Sequence, residues 1–195
     1  VVTTIQFSSD SKKIVVGSWS GGAIFDMSTA TLIRSLDLDA SETYNSAQFS
    51  PDSKKLIVGS GFFHPTMNLK RNATILGHGA ASILDVTSGN LIKPLLHNVY
   101  YVNWVQFSPT GRMALTVSDG DSLKVWDMGT YSSVTNFKRK ASGIKTAQFS
   151  PDETKILTTD KDYTCKLWDI KTGDLLYTFF AVDSSDYLVV DQYGR

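Results

Sequence analysis

The chain carries a single cysteine, Cys165, so no intrachain disulfide can form. It reads as a small core residue in a reducing, intracellular and cytoplasmic setting. There are three histidines, His64, His78 and His97, and none is paired with another ligand at metal spacing. No glycine loop with Lys-Ser/Thr, no dinucleotide fingerprint and no Ser/His/Asp arrangement is present. Gly17-Ser18-Trp19-Ser20-Gly21 resembles a nucleophile elbow, but Trp19 stands where the serine is needed. Nineteen basic and nineteen acidic residues cancel, which removes electrostatics as a reason to expect nucleic acid. No run approaches the roughly 18 apolar residues of a membrane span. The chain opens within a strand pattern, Val1-Val2-Thr3-Thr4, without an initiator Met, and reads as an excerpt of a longer protein. These absences predict no catalytic residue, no metal and no cofactor.

What the chain does have is repetition. AQFSPD occurs at 47–52 and again at 147–152, VQFSPT lies at 105–110 and IQFSSD at 5–10. Phe7 to Phe49 and Phe107 to Phe149 are each 42 residues, while Phe49 to Phe107 is 58, so the second copy carries an insertion of 16. A period of about 40–45 residues fits a four-stranded propeller blade. The last copy shows the unit best. Runs at 144–149, 155–159, 164–168 and 175–179 are rich in β-branched, aromatic and large aliphatic residues, each bounded by Pro, Gly or Asp turn chemistry. Short breaks between them predict hairpins, and hence an antiparallel meander.

Phe149-Ser150-Pro151-Asp152, Leu167-Trp168-Asp169 and Thr172-Gly173 together resemble a WD repeat, the blade of a β-propeller. Phe107-Ser108-Pro109 with Val125-Trp126-Asp127 agrees, whereas Ile24-Phe25-Asp26 and Ile83-Leu84-Asp85 keep the Asp and lose the Trp. The resemblance implies an all-β propeller with four antiparallel four-stranded blades, near 1–36, 43–95 (with the insertion at 61–79), 101–137 and 143–179. The fourth strand of the third blade is expected near 133–137. Residues 180–195 would begin a further blade or close or link the array. Members of the family usually have more than four blades, so a ring of seven or eight is expected. Two copies could also pair to complete a ring.

The resemblance further implies a structural network of His, Ser or Thr, Asp and Trp within a blade. The candidates in the third blade are His97, Thr116 or Ser118, Asp119 or Asp121, and Trp126, with Ser118 and Asp121 preferred. In the fourth they are Thr158 or Thr159, Asp162 and Trp168, and the loop before it holds no His. The Trp indole and the Asp need buried partners, which is the physical reason for such a network.

The function implied is a non-catalytic scaffold for other proteins or peptides; the alternative is a regulatory or substrate-binding propeller within a larger enzyme. Candidate partner-binding residues are Phe62, Phe63, Lys70 and Arg71 in the insertion, and Tyr100 and Tyr101 between blades. Tyr44 and Trp104 add interface-type aromatics to the same region, and Trp104 and Tyr101 read equally as blade packing. Asp37 and Asp39 read as a solvated turn, and Lys138-Arg139-Lys140 as a solvated loop or an anion contact. Asn72-Ala73-Thr74 matches a glycosylation sequon, which matters only in a secreted protein.

Overall fold

The computed structural model describes residues 1–36, 42–62, 79–99, 101–119, 123–135, 137, 143–183 and 186–195. Within them the regular structure is entirely β. The first sheet holds β1 (Val2–Phe7), β2 (Lys13–Ser18), β3 (Gly21–Asp26) and β4 (Leu32–Leu36) in chain order. The second holds β5 (Glu42–Phe49), β6 (Lys55–Phe62), β7 (Gly79–Asp85) and β8 (Leu91–Val99). The third holds β9 (Val102–Phe107), β10 (Met113–Ser118) and β11 (Leu123–Asp127). The fourth holds β12 (Ile144–Phe149), β13 (Lys155–Asp160), β14 (Thr164–Asp169), β15 (Leu175–Ala181) and β16 (Tyr187–Asp191). All pairings are antiparallel, so each sheet is a meander and one propeller blade.

The repeated Ser-x-Asp segment makes the first hairpin of the first, second and fourth blades by the same chemistry, and Ser108-Pro109-Thr110 stands in its place in the third. Ser50 Oγ donates to Asp52 Oδ1 at 2.6 Å and accepts the Lys55 N–H at 2.9 Å, while the Lys54 N–H donates to Asp52 at 3.1 Å. Ser8 with Asp10 and Ser150 with Asp152 repeat these bonds. In each turn one residue takes the left-handed conformation, namely Ser11, Ser53, Gly111 and Glu153 at φ of 57°, 57°, 72° and 58°. The bonds given by Ser150, Thr154 and the Thr154 backbone hold the Asp152 carboxyl down at about 2.

Alternation along the strands gives every blade two apolar faces, and the facing surfaces of consecutive blades pack on each other. Val15 and Ile24 of the first blade pack with Phe49, Leu56, Val58 and Leu84 of the second. Ile57 and Ile83 of the second pack with Phe107, Ala114 and Trp126 of the third. Leu115 and Val125 of the third pack with Phe149, Ile156 and Trp168 of the fourth. The cores therefore lie between sheets rather than within one.

The glutamines of the first three x-Gln-Phe-Ser motifs tie these junctions together. Gln6 Oε1 accepts the Phe49 N–H at 3.1 Å, Gln48 Oε1 accepts that of Phe107, and Gln106 Oε1 accepts that of Phe149 at 3.2 Å. The Phe N–H points away from its hairpin partner, so a side chain from the preceding blade is what satisfies it. Asn45 Nδ2 to the Val102 carbonyl (3.2 Å) and Trp104 Nε1 to the Ala147 carbonyl (2.8 Å) add further ties.

One expectation needs correction. The stretch near 133–137 was expected as a strand but contributes a single bridge, Ser133 to Trp126, so the third sheet has three strands. Its side chains turn instead to the fourth blade: Thr135 Oγ1 donates to the Ile170 carbonyl at 2.9 Å, and the Phe137 ring stands edge-on to Trp168. At the other end, β16 pairs with β15 as a fifth strand of the fourth sheet.

Replacing Gln106 by Ala leaves the buried Phe149 N–H without an acceptor. The expected cost is about 1–3 kcal/mol of unfolding free energy, measured by urea denaturation.

Candidate functional site

The third blade builds its polar cluster across a junction. His97 comes from β8, the outer strand of the second blade, and Thr116 and Trp126 from β10 and β11 of the third. His97 Nε2 lies 2.6 Å from Thr116 Oγ1, and the Trp126 indole N–H donates to the same oxygen at 2.8 Å. An indole can only donate, so Thr116 accepts from Trp126. Its hydroxyl proton is then free for His97 Nε2 when the imidazole carries its own proton on Nδ1. The His97 and Trp126 rings meet edge to face at 5.9 Å. All three residues are buried.

Burial pushes His97 down to about 3, with the Lys124 charge adding to the effect. The Lys124 ammonium donates to the Leu96 carbonyl at 3.1 Å and lies over the Trp126 ring. A neutral imidazole with no route to solvent is suited to holding two sheets together rather than to moving protons.

The hydroxyl at the centre is thus Thr116. Ser118, preferred from the sequence, is buried two residues further along the same strand, where it faces Val102 in the register. Asp121 lies outside the described residues. In the fourth blade the Trp168 indole donates to Thr158 Oγ1 at 3.1 Å. Phe137 meets Trp168 edge-on at 5.7 Å, much as His97 meets Trp126. Asp162 does not join Trp168: it sits in the turn before β14, accepting from the Thr164 N–H at 3.0 Å and from Lys166 at 3.1 Å. Lys166 also pairs with buried Asp160, which the sequence reading did not single out. The alternation Thr164-x-Lys166-x-Trp168 in β14 could have found it, because the register places Lys166 opposite Thr158, two residues before Asp160.

The Asp that follows the Trp position forms a turn in each blade. Asp26 Oδ1 accepts from Ser28 and Thr29, Asp85 from Thr87 and Ser88, Asp127 from Gly129 and Thr130, and Asp169 from Thr172. These bonds hold the Asp26 carboxyl at about 2, and hold Asp85 and Asp127 below the usual carboxylate range.

The candidate contact residues are spread out. The Phe62 backbone lies at the end of β6, opposite Glu42. Phe63, Lys70, Arg71 and Tyr100 lie outside the described residues, as do Asp37, Asp39 and Lys138 to Lys140. The Tyr101 ring lies over Gly61, where an added Cβ would come within 2.0 Å of it. Tyr44 is fully buried and donates to the Leu36 carbonyl at 2.6 Å, and Trp104 is tied to Ala147, so both are packing aromatics. Cys165 is half-buried on the face of β14 that also carries Leu167. The motif residues of adjacent blades line a groove of about 420 Å³, with Gln48, Phe49, Gln106, Phe107, Gln148 and Phe149 among its walls. Among the described residues no cluster of His, Cys, Asp and Glu could hold a metal.

The model of the family described as WD domain, G-beta repeat matches residues 89–127 and 131–169. Both stretches are WD repeats, and the four antiparallel sheets are consistent with blades of a WD40 propeller. Each match begins ahead of one sheet's outer segment and ends at the Asp after Trp126 or Trp168, so a sequence repeat bridges two blades. A comparison with curated proteins finds no match.

Thr116→Val keeps the shape and removes both hydrogen bonds. The expected loss is about 2–4 kcal/mol, since two buried groups lose partners. The depressed His97 also predicts a pH dependence. The unfolded chain takes up a proton near pH 6.5 that the folded chain refuses until about 3. Stability is therefore full above pH 6.5 and falls as pH drops below it, by about 2 kcal/mol on reaching pH 5. Urea unfolding across this range, with His97→Gln as the flat reference, measures the effect.

Proposed function

We propose that the chain is a non-catalytic scaffold that binds proteins or peptides through loops displayed on a rigid propeller array. The observation that carries this reading is where the polar motif residues are used. Gln6, Gln48 and Gln106 bond across junctions, His97 and Thr116 are sealed within one, and the Asp residues of the repeat sit in turns. The repeat signature is spent on holding the blades, and recognition falls to the segments that interrupt it. The insertion between β6 and β7 is the longest of these, and Phe62, Phe63, Lys70 and Arg71 combine aromatic and cationic chemistry favoured at interfaces.

The test is affinity capture on the intact chain and on a chain lacking residues 62–78, with mass spectrometry of the bound proteins. A protein enriched by the first and lost from the second supports the reading. Folded bait that captures nothing specific overturns it.

A further inference from the structure

Consecutive blades also meet at the ends that carry the first hairpin turns, and there the three junctions differ. At each, the N–H of one turn residue (Asp10, Asp52 or Thr110) comes against the left-handed residue of the next turn (Ser53, Gly111 or Glu153). Ser53 Oγ accepts the Asp10 N–H at 3.3 Å across the first junction. Across the third, Glu153 accepts the Thr110 N–H at 2.6 Å on Oε1 and the Thr110 hydroxyl at 3.0 Å on Oε2. The second junction has Gly111 at this place, with φ of 72° and no side chain to offer. The Asp52 N–H therefore has no acceptor among the described residues.

What remains is a hollow of about 340 Å³, walled by Asp52 and Lys55 of the second blade and by Phe107, Thr110 and Gly111 of the third. One water occupies about 30 Å³ in the liquid, so the hollow has room for a side chain. Lys55 stands on its wall, with the ammonium donating to the Tyr131 hydroxyl at 3.2 Å and lying over that ring. An ammonium has three N–H donors, and no carboxylate among the described residues pairs with this one. The Asp52 carboxylate is turned into its own hairpin, where Oδ1 accepts the Ser50 hydroxyl at 2.6 Å and the Lys54 N–H at 3.1 Å. Both walls are inner blades, each flanked on both sides by another.

We propose that this hollow is a docking site for an acidic side chain of a partner protein. One carboxylate oxygen takes the Asp52 N–H and the other takes the Lys55 ammonium, as Glu153 takes two donors from Thr110 at the next junction. Charge decides between a carboxylate and a neutral oxygen. The hydroxyl of Ser53 suffices at the first junction, where Lys13 already lies 3.8 Å from Asp10. At the second junction a hydroxyl would satisfy the amide and leave Lys55 unpaired. The hollow is open to solvent, so the contact adds selectivity and weakens as salt rises. The inference rests on the reading that partners are proteins or peptides, but it uses a surface separate from the insertion.

Amide proton–nitrogen NMR spectra of the labelled chain, titrated with acetyl-Ala-Glu-Ala-amide and with its Gln counterpart, are the test. The Asp52 amide should shift saturably with the Glu peptide, with a millimolar dissociation constant, and bind the Gln peptide about fivefold more weakly. Lys55→Met, which copies Met113 of the third blade, should weaken the Glu peptide by about fivefold as well. Gly111→Glu copies Glu153 and should abolish binding, because its own carboxylate takes the Asp52 N–H. A Cβ at Gly111 would come to 3.1 Å from Pro51 Cδ, so if that variant does not fold, Lys55→Met carries the test. A chain lacking residues 62–78 should bind the Glu peptide as the intact chain does, whatever becomes of capture by the insertion. No saturable shift at Asp52, equal affinity for the two peptides, or equal affinity in Lys55→Met overturns the proposal. So does loss of binding in the chain lacking 62–78, which would put the contact on the insertion.

Discussion

A hydrogen bond from a backbone amide to a neighbour's glutamine is the constraint on which this array depends. The inner strand of a blade is an edge strand, and its amides have no ladder partner on the side facing the axis. Gln6, Gln48 and Gln106 supply acceptors to Phe49, Phe107 and Phe149. Because the Gln and the Phe are adjacent in sequence, β5 and β9 each both give and receive this bond. It sets how far one blade is displaced along the next, and the apolar residues of the two faces are then in register.

The remaining signature residues divide into two kinds of work. Trp126 and Trp168 present their rings to the junction and give their indole protons to Thr116 and Thr158. The Asp that follows each Trp points the other way, into the turn leading to the outer strand. One dipeptide thus supports the core on one side of the strand and the hairpin on the other, which is the consequence of period-2 alternation. Where the first two blades lack the Trp, Phe25 and Leu84 hold its place and the Asp is retained, so the turn survives although the indole bond is lost.

The strand order and the turns were legible because Phe-Ser-Pro-Asp and Trp-Asp punctuate the chain at fixed intervals. The packing partners were less so. Trp104 and Tyr44 look like interface aromatics in the sequence, and only the neighbouring blade shows that the Ala147 and Leu36 carbonyls take their protons. Thr116 and Ser118 are both hydroxyls on one strand face, and the choice depends on the register of β10 against β11, which pairing chemistry in one dimension does not fix. The 133–137 stretch has strand-like residues, but Thr135 and Phe137 gain more from the next blade than from a ladder. The role of the motif glutamine was not anticipated at all. Its signal was present in four copies of x-Gln-Phe-Ser, and a polar residue repeated at a fixed position beside a buried aromatic is what such a tie looks like in sequence.

The most direct measurement is amide hydrogen exchange, by nuclear magnetic resonance, on the wild type and on Gln106→Ala. The Phe49, Phe107 and Phe149 amides are expected to be protected in the wild type, and only Phe149 to lose protection in the variant. A Phe149 amide that exchanges equally slowly in both proteins would contradict the claim that glutamine carboxamides tie the blades.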